Sequence, residues 1–148
     1  MNKIEEKLSK LGLVLGEAKP PVANYVGTKQ IGNLLFVSAR VSEQKGKVGV
    51  DVSPELSKIA ARDTILYLLS IIKADIGNLD KIKSIIKLQG FVNADESYIY
   101  LPQIIDGASE LLIELYGEEG KHARTATGAS QLPYGATIQI DMVVEIKA

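Results

Sequence analysis

The chain has 148 residues, enough for one ordinary domain, and 46% of them are apolar, enough for an aliphatic core. Its 17 basic and 18 acidic residues are scattered and leave a net charge of −1, so it lacks the concentrated basic stripe that nucleic-acid backbones select. The absence of cysteine excludes disulfides, thiolate nucleophiles and cysteine-type zinc sites.

The predicted elements begin with a short amphipathic helix from Lys3 to Leu11, stopped by Gly12. This charged start has no apolar signal core, and no apolar run reaches the roughly 20 residues that span a bilayer. A soluble, cytoplasmic protein with no membrane partner is therefore expected. After a loop from Gly16 to Pro21, the β-rich stretches Val22 to Thr28 and Leu34 to Ala39 predict a hairpin. Its turn is expected within Lys29-Gln30-Ile31-Gly32-Asn33. A polar connection from Ser42 to Asp51 follows. Its Gly46-Lys47-Val48-Gly49 lacks the spacing of a phosphate loop and reads as a turn.

Ser53-Pro54-Glu55 opens a long helix: serine caps, proline suits the first helical position, and glutamate complements the dipole. The helix should end at Ile76, before Gly77. Its second half is apolar almost all round, which predicts burial on more than one side. A strand follows, with Ile82, Ile86, Leu88 and Val92 on one side and Lys83, Lys87 and Gln89 on the other; Ile85 and Phe91 break the alternation. A second helix runs from about Tyr100 to Tyr116, with Gly107 inside it and Gly117 at its end. His122 to Gly128 reads as a strand. Ala136 to Lys147 alternates most regularly, with Ile138, Ile140, Met142, Val144 and Ile146 on one face. Leu132-Pro133-Tyr134-Gly135 connects these last two strands.

The expected order is thus β-β-α-β-α-β-β in one domain over residues 1–148, an α+β protein. Two helices cannot cover both faces of such a sheet, so they should share one face. The other face is then wet or a subunit interface.

Arg124 lies among small residues in Ala123-Arg124-Thr125-Ala126, with room to project a planar fork that binds carboxylates bidentately. By spacing alone, a surface or salt-bridging arginine is the simpler reading. His122 falls on the same side, two residues away; it is a possible acid or base, although lone histidines are more often structural. It is the only histidine, so no histidine metal site and no two-histidine ribonuclease site within one chain is expected. Tyr25 and Ser38 are unremarkable alone, and Glu118 and Glu119 past a helix end read as solvated.

Ala123-Arg124-Thr125-Ala126, then Leu132-Pro133 and Ile138-Gln139-Ile140, resembles the signature region of the Rid/YjgF family. Asn24-Tyr25-Val26 with Gly32-Asn33-Leu34-Leu35-Phe36-Val37-Ser38 resembles its opening hairpin. Asp106-Gly107-Ala108-Ser109 to Leu115-Tyr116-Gly117, then His122-Ala123-Arg124, resembles one branch of it. The resemblance covers nearly everything after the first helix. It implies a chorismate-mutase-like fold and a homotrimer with ligand clefts between subunits. It implies hydrolysis of reactive 2-imino and 2-enamino acids to 2-keto acids and ammonia, without cofactor or metal. Arg124 matches the arginine that clamps the substrate carboxylate, and Tyr25 and Ser38 match residues lining the cleft. Three positions depart from the deaminase pattern: Ala126 stands for the family cysteine, Gly107 for an asparagine and Gln139 for a glutamate. Glutamine cannot take a proton as a carboxylate does, so ligand binding carries over more directly than catalysis. The alternatives are a noncatalytic carboxylate-binding or regulatory trimer, and an endoribonuclease, a label attached to the family that the charge pattern does not support.

Overall fold

A computed structural model describes residues 2–21 and 23–148. Among these residues, three α-helices and five strands follow the expected order: α1 (Lys3–Lys10), β1 (Thr28–Ile31), β2 (Leu34–Val41), α2 (Pro54–Ile76), β3 (Ile82–Asn93), α3 (Leu101–Tyr116), β4 (Ala123–Ala129) and β5 (Ile138–Ile146). The strands form one sheet in the order β1-β2-β5-β3-β4. Only β3 and β4 run parallel, joined by the α3 crossover; the other neighbours are antiparallel. None of the helices is long and apolar enough to cross a membrane.

Helix α2 starts and stops where its local chemistry dictates. The Ser53 side chain accepts from the Leu56 N–H at 3.2 Å, Pro54 leads the first turn, and the Gly77 N–H closes on the Lys73 carbonyl at 2.8 Å. Ile65, Leu68, Leu69 and Ile72 from α2, with Ile104, Ile105, Leu112 and Leu115 from α3, are buried against Leu35, Val37, Leu88 and the inward residues of β5. Each such side chain contributes roughly 1.5–3 kcal/mol by leaving water. Both helices therefore lie on one face of the sheet. Gly107 explains how closely they cross: a Cβ there would stand 2.0 Å from the Lys58 carbonyl oxygen of α2.

Two expectations about the strands need correction. The first strand is Thr28–Ile31, not Val22 to Thr28, and residues 23–27 bend instead; Val22 lies outside the described residues. Ile31 pairs with Leu34, so the turn is only Gly32-Asn33. Gly32 takes φ +57°, which suits the first central position of a two-residue hairpin turn. That turn chemistry decides where the strand ends and outweighs the β propensity further upstream.

On β3, Ile85 points inward with Ile82, Leu88 and Val92, whereas Ile86 is 38% exposed. The register against β5 slips between Ile82 and Ser84 and again between Ile85 and Lys87. Each slip inserts one residue and reverses the alternation beyond it. On β5 the alternation holds: Ile138, Ile140, Met142, Val144 and Ile146 are buried, and Gln139, Asp141, Val143 and Glu145 face away from the helices. That open face also carries Leu34 and Phe36, both exposed.

Candidate functional site

The β4 edge gathers a connected set of charged and polar contacts around Arg124. Arg124 stands opposite Leu88, a buried residue under α3, so its side chain lies on the helix face. There Nη1 donates to Asp106 Oδ1 at 2.7 Å and to Ser109 Oγ at 3.2 Å. Asp106 and Ser109 are three residues apart on α3 and so share one side of that helix. The ion pair is partly solvated, with side-chain exposures of 25% for Arg124 and 39% for Asp106. At that exposure it contributes at most about 1 kcal/mol to stability, and its main effect is to fix the direction of the guanidinium. Both recorded contacts use Nη1. Among the described residues, Nε and Nη2 have no protein hydrogen-bond partner, so one edge of the fork is left unpaired.

His122 precedes β4 and turns toward the same serine. Its Nε2 lies 2.9 Å from Ser109 Oγ and its Nδ1 lies 2.7 Å from the Gly120 carbonyl. The expectation that His122 and Arg124 share a side is met, and Ser109 joins them. Ala126 lies on the same face, opposite Gly90 and packed against the core. Sequence reasoning did not single out Asp106 or Ser109 as site residues. Their i, i+3 spacing was visible, but their approach to Arg124 depends on where α3 sits over the sheet.

The other predicted residues lie elsewhere. Ser38 is on β2, and its hydroxyl donates to the Val26 carbonyl at 2.6 Å. Tyr25 precedes β1, and its hydroxyl accepts from Arg40 Nη1 at 2.6 Å. With β5 and β3 between them, β2 and β4 stand three strand spacings apart, roughly 14 Å. Within one chain, Tyr25 and Ser38 cannot share a small ligand with Arg124. Gln139 is also apart: it pairs with Phe91 on the open face, two strands from Arg124 and on the opposite side of the sheet. Two residues along, burial pushes the Asp141 carboxyl above its ordinary range, with Lys87 pulling the other way. No group of three potential metal-ligating side chains occurs among the described residues.

Arg40 was missed altogether. It is 6% exposed, and its guanidinium carbon lies 5.3 Å from the Tyr25 ring centre and 5.9 Å from that of Tyr67. Its Nε and Nη2 are buried without a partner. Simple alternation along β2 turns Arg40 away from the core side that holds Leu35 and Val37. A register slip between Val37 and Arg40 brings it underneath α2 instead, and no local sequence signal announces it.

Comparison with known proteins agrees with this architecture. Residues 5–146 match the family model described as "YjgF/chorismate_mutase-like, putative endoribonuclease". Protein TCP17 of Trypanosoma cruzi is 34% identical, over 97% of this chain and 94% of that protein. The crystal structure of Atu1372 from Agrobacterium tumefaciens, a protein described as of unknown function, superposes with a TM-score of 0.91 at 38% identity, covering 97% of this chain and 92% of that one. A structure named "putative endoribonuclease" from Shewanella oneidensis gives a TM-score of 0.94 at 29% identity, over 98% and 100% of the two chains. A match across nearly the whole chain, with the same mixed fold, establishes that this protein belongs to the YjgF/chorismate-mutase-like family.

Proposed function

We propose that this protein is a 2-imino/2-enamino acid deaminase of the cytoplasm, releasing 2-keto acids and ammonia, and that Arg124 holds the substrate carboxylate. The observation that carries this reading is the arrangement of the Arg124 guanidinium. Asp106 fixes it through Nη1, and the Nε–Nη2 edge is left to meet a second carboxylate. Orientation by such a clamp lowers the barrier of a reaction between bound imine and water.

The assembly in this reading is a homotrimer with the ligand between subunits. Two observations support it. The open face of the sheet presents Leu34, Phe36 and Ile86 to solvent, an apolar surface that a second copy would cover. Tyr25 and Ser38 sit toward the opposite edge of the sheet from Arg124, so only a neighbouring copy brings such residues to the arginine.

The test couples the purified protein to a threonine dehydratase and times 2-keto acid release. The wild type should accelerate release, and Arg124→Ala should not; an unchanged rate in that variant defeats the assignment. Sedimentation should give three times the 16.0 kDa chain mass, and a monomer at assay concentration would sink the shared cleft. A noncatalytic carboxylate-binding trimer is the second reading, favoured by Gln139, which cannot accept a proton as a glutamate would. It predicts that 2-ketobutyrate binds without any rate enhancement. Ribonuclease action, suggested by names within the family, predicts RNA cleavage that is lost with Arg124→Ala. Cleavage that follows contaminating fractions instead would remove it.

A further inference from the structure

We propose that Ser109 and His122 form the proton-transfer pair of the Arg124 site, a role that rests on the deaminase reading. The hydrogen-bond directions follow from the partners. The Gly120 carbonyl can only accept, so the His122 nitrogen 2.7 Å from it, Nδ1, carries a proton. In the neutral ring, Nε2 is then a lone pair facing Ser109 Oγ at 2.9 Å. From the other side, Arg124 Nη1 donates to the same Oγ at 3.2 Å. A guanidinium cannot accept, so the serine hydrogen has one charge-compatible direction, toward Nε2. Two independent contacts thus impose one orientation: Arg124 N–H to Ser109 O–H to His122 Nε2, with the imidazole anchored by backbone. A hydroxyl bonded to a base that a third group orients is the arrangement that activates oxygen in nucleophilic and general-base catalysis.

Ser109 is 8% exposed and shielded by its α3 surroundings, which disfavours a covalent role and suits a relay. Of its two Oγ lone pairs, one accepts from Arg124 Nη1 and the other remains. In this relay the attacking water is the one that donates to that lone pair. As the water oxygen bonds to C2 of the imine, its proton passes to Ser109 Oγ while the serine proton passes to His122 Nε2. The C2–N π pair moves to nitrogen, which takes that proton back along the same path, giving a 2-hydroxy-2-amino acid. The remaining C2–O–H proton then passes through the relay to the same nitrogen: the O–H pair closes the carbonyl as the C2–N pair leaves with ammonia, and Ser109 and His122 regain their starting states. The sum is 2-imino acid plus water to 2-keto acid plus ammonia. This gives the chain a base where Gln139 supplies none.

The experiment compares wild type, Ser109→Ala, His122→Gln and Arg124→Ala in the dehydratase-coupled assay, with 2-ketobutyrate binding measured by calorimetry. His122→Gln keeps a side chain that both donates and accepts, but it cannot be protonated. A purely structural histidine tolerates that change. The expected result is a fall in kcat of about 100-fold in Ser109→Ala and His122→Gln, with KM and 2-ketobutyrate affinity held within about threefold. Arg124→Ala should lose affinity as well. Undiminished kcat in either relay variant overturns the relay alone, and so does loss of binding together with rate, which marks a structural role. A wild type that binds 2-ketobutyrate but accelerates nothing overturns the deaminase reading and the relay with it.

Discussion

Arg124 and Arg40 are arginines of one sheet in opposite circumstances. Arg124 lies on an edge strand, neutralised by Asp106, partly solvated and with half of its fork unused. Arg40 lies under α2, almost fully buried, with no carboxylate partner among the described residues, held by the faces of Tyr25 and Tyr67. The first has its charge compensated and its donors to spare, the condition for receiving a ligand. The second has donors to spare and no solvent path to offer them, the condition of a packing element. Buried polar groups without partners cost free energy. Arg40 survives through its stem and its aromatic contacts.

The sharpest way to break this comparison is to disturb the platform beneath Arg124. Gly107→Ala drives a methyl against the Lys58 backbone and should destabilise the fold by about 3 kcal/mol or more; chemical denaturation measures it. A loss below 1 kcal/mol would mean that α2 and α3 separate easily and that Asp106 and Ser109 are not rigidly placed. Next comes Arg124→Ala, expected to weaken 2-ketobutyrate binding about 100-fold, or roughly 2.8 kcal/mol, while shifting stability by less than about 1 kcal/mol. Arg40 should invert that pattern. Arg40→Ala leaves a cavity and is expected to cost about 2 kcal/mol of stability. Arg40→Met fills the space and removes the unsatisfied donors, so it should fall within about 1 kcal/mol of wild type. If Arg40→Met instead abolishes ligand binding with the fold intact, the two arginines are not functionally distinct.

The smallest effect concerns Asp141. Its carboxyl is raised by burial, so the folded state favours the protonated form. Its stabilising contribution is present below the ordinary aspartate range and is lost as pH rises through the raised value. Asp141→Asn should therefore raise the melting temperature slightly at pH 7, by less than about 1 kcal/mol equivalent after solvent screening. The advantage should vanish near pH 3. A gain that persists unchanged into acid would remove the explanation by ionisation.

Much of the fold was legible because its signals are local. Ser53, Pro54 and Gly77 bracket α2 by capping alone, and β5 alternates along its whole length. The strand errors arose where pairing overruled propensity: the Gly32-Asn33 turn moved β1 downstream, and two slips on β3 exchanged Ile86 for Ile85. At the site, family resemblance singled out Arg124; its spacing alone favoured a surface or salt-bridging arginine, and its ion pair with Asp106 fits that simpler reading. Asp106 and Ser109 were on view in the sequence, but nothing local ties an α3 side chain to a β4 one.

The sequence by itself determined the order of elements, the ends of the long helix and the inward face of β5. These depend on backbone preferences and periodicities within a few residues. The tertiary structure alone decided which face Arg40 takes, that Arg124 meets Asp106 and Ser109, that His122 reaches the same serine, and that Tyr25 and Ser38 lie away from them. Those outcomes depend on strand register and on the close crossing of α2 over α3. Register and crossing are set by packing between residues far apart in the chain.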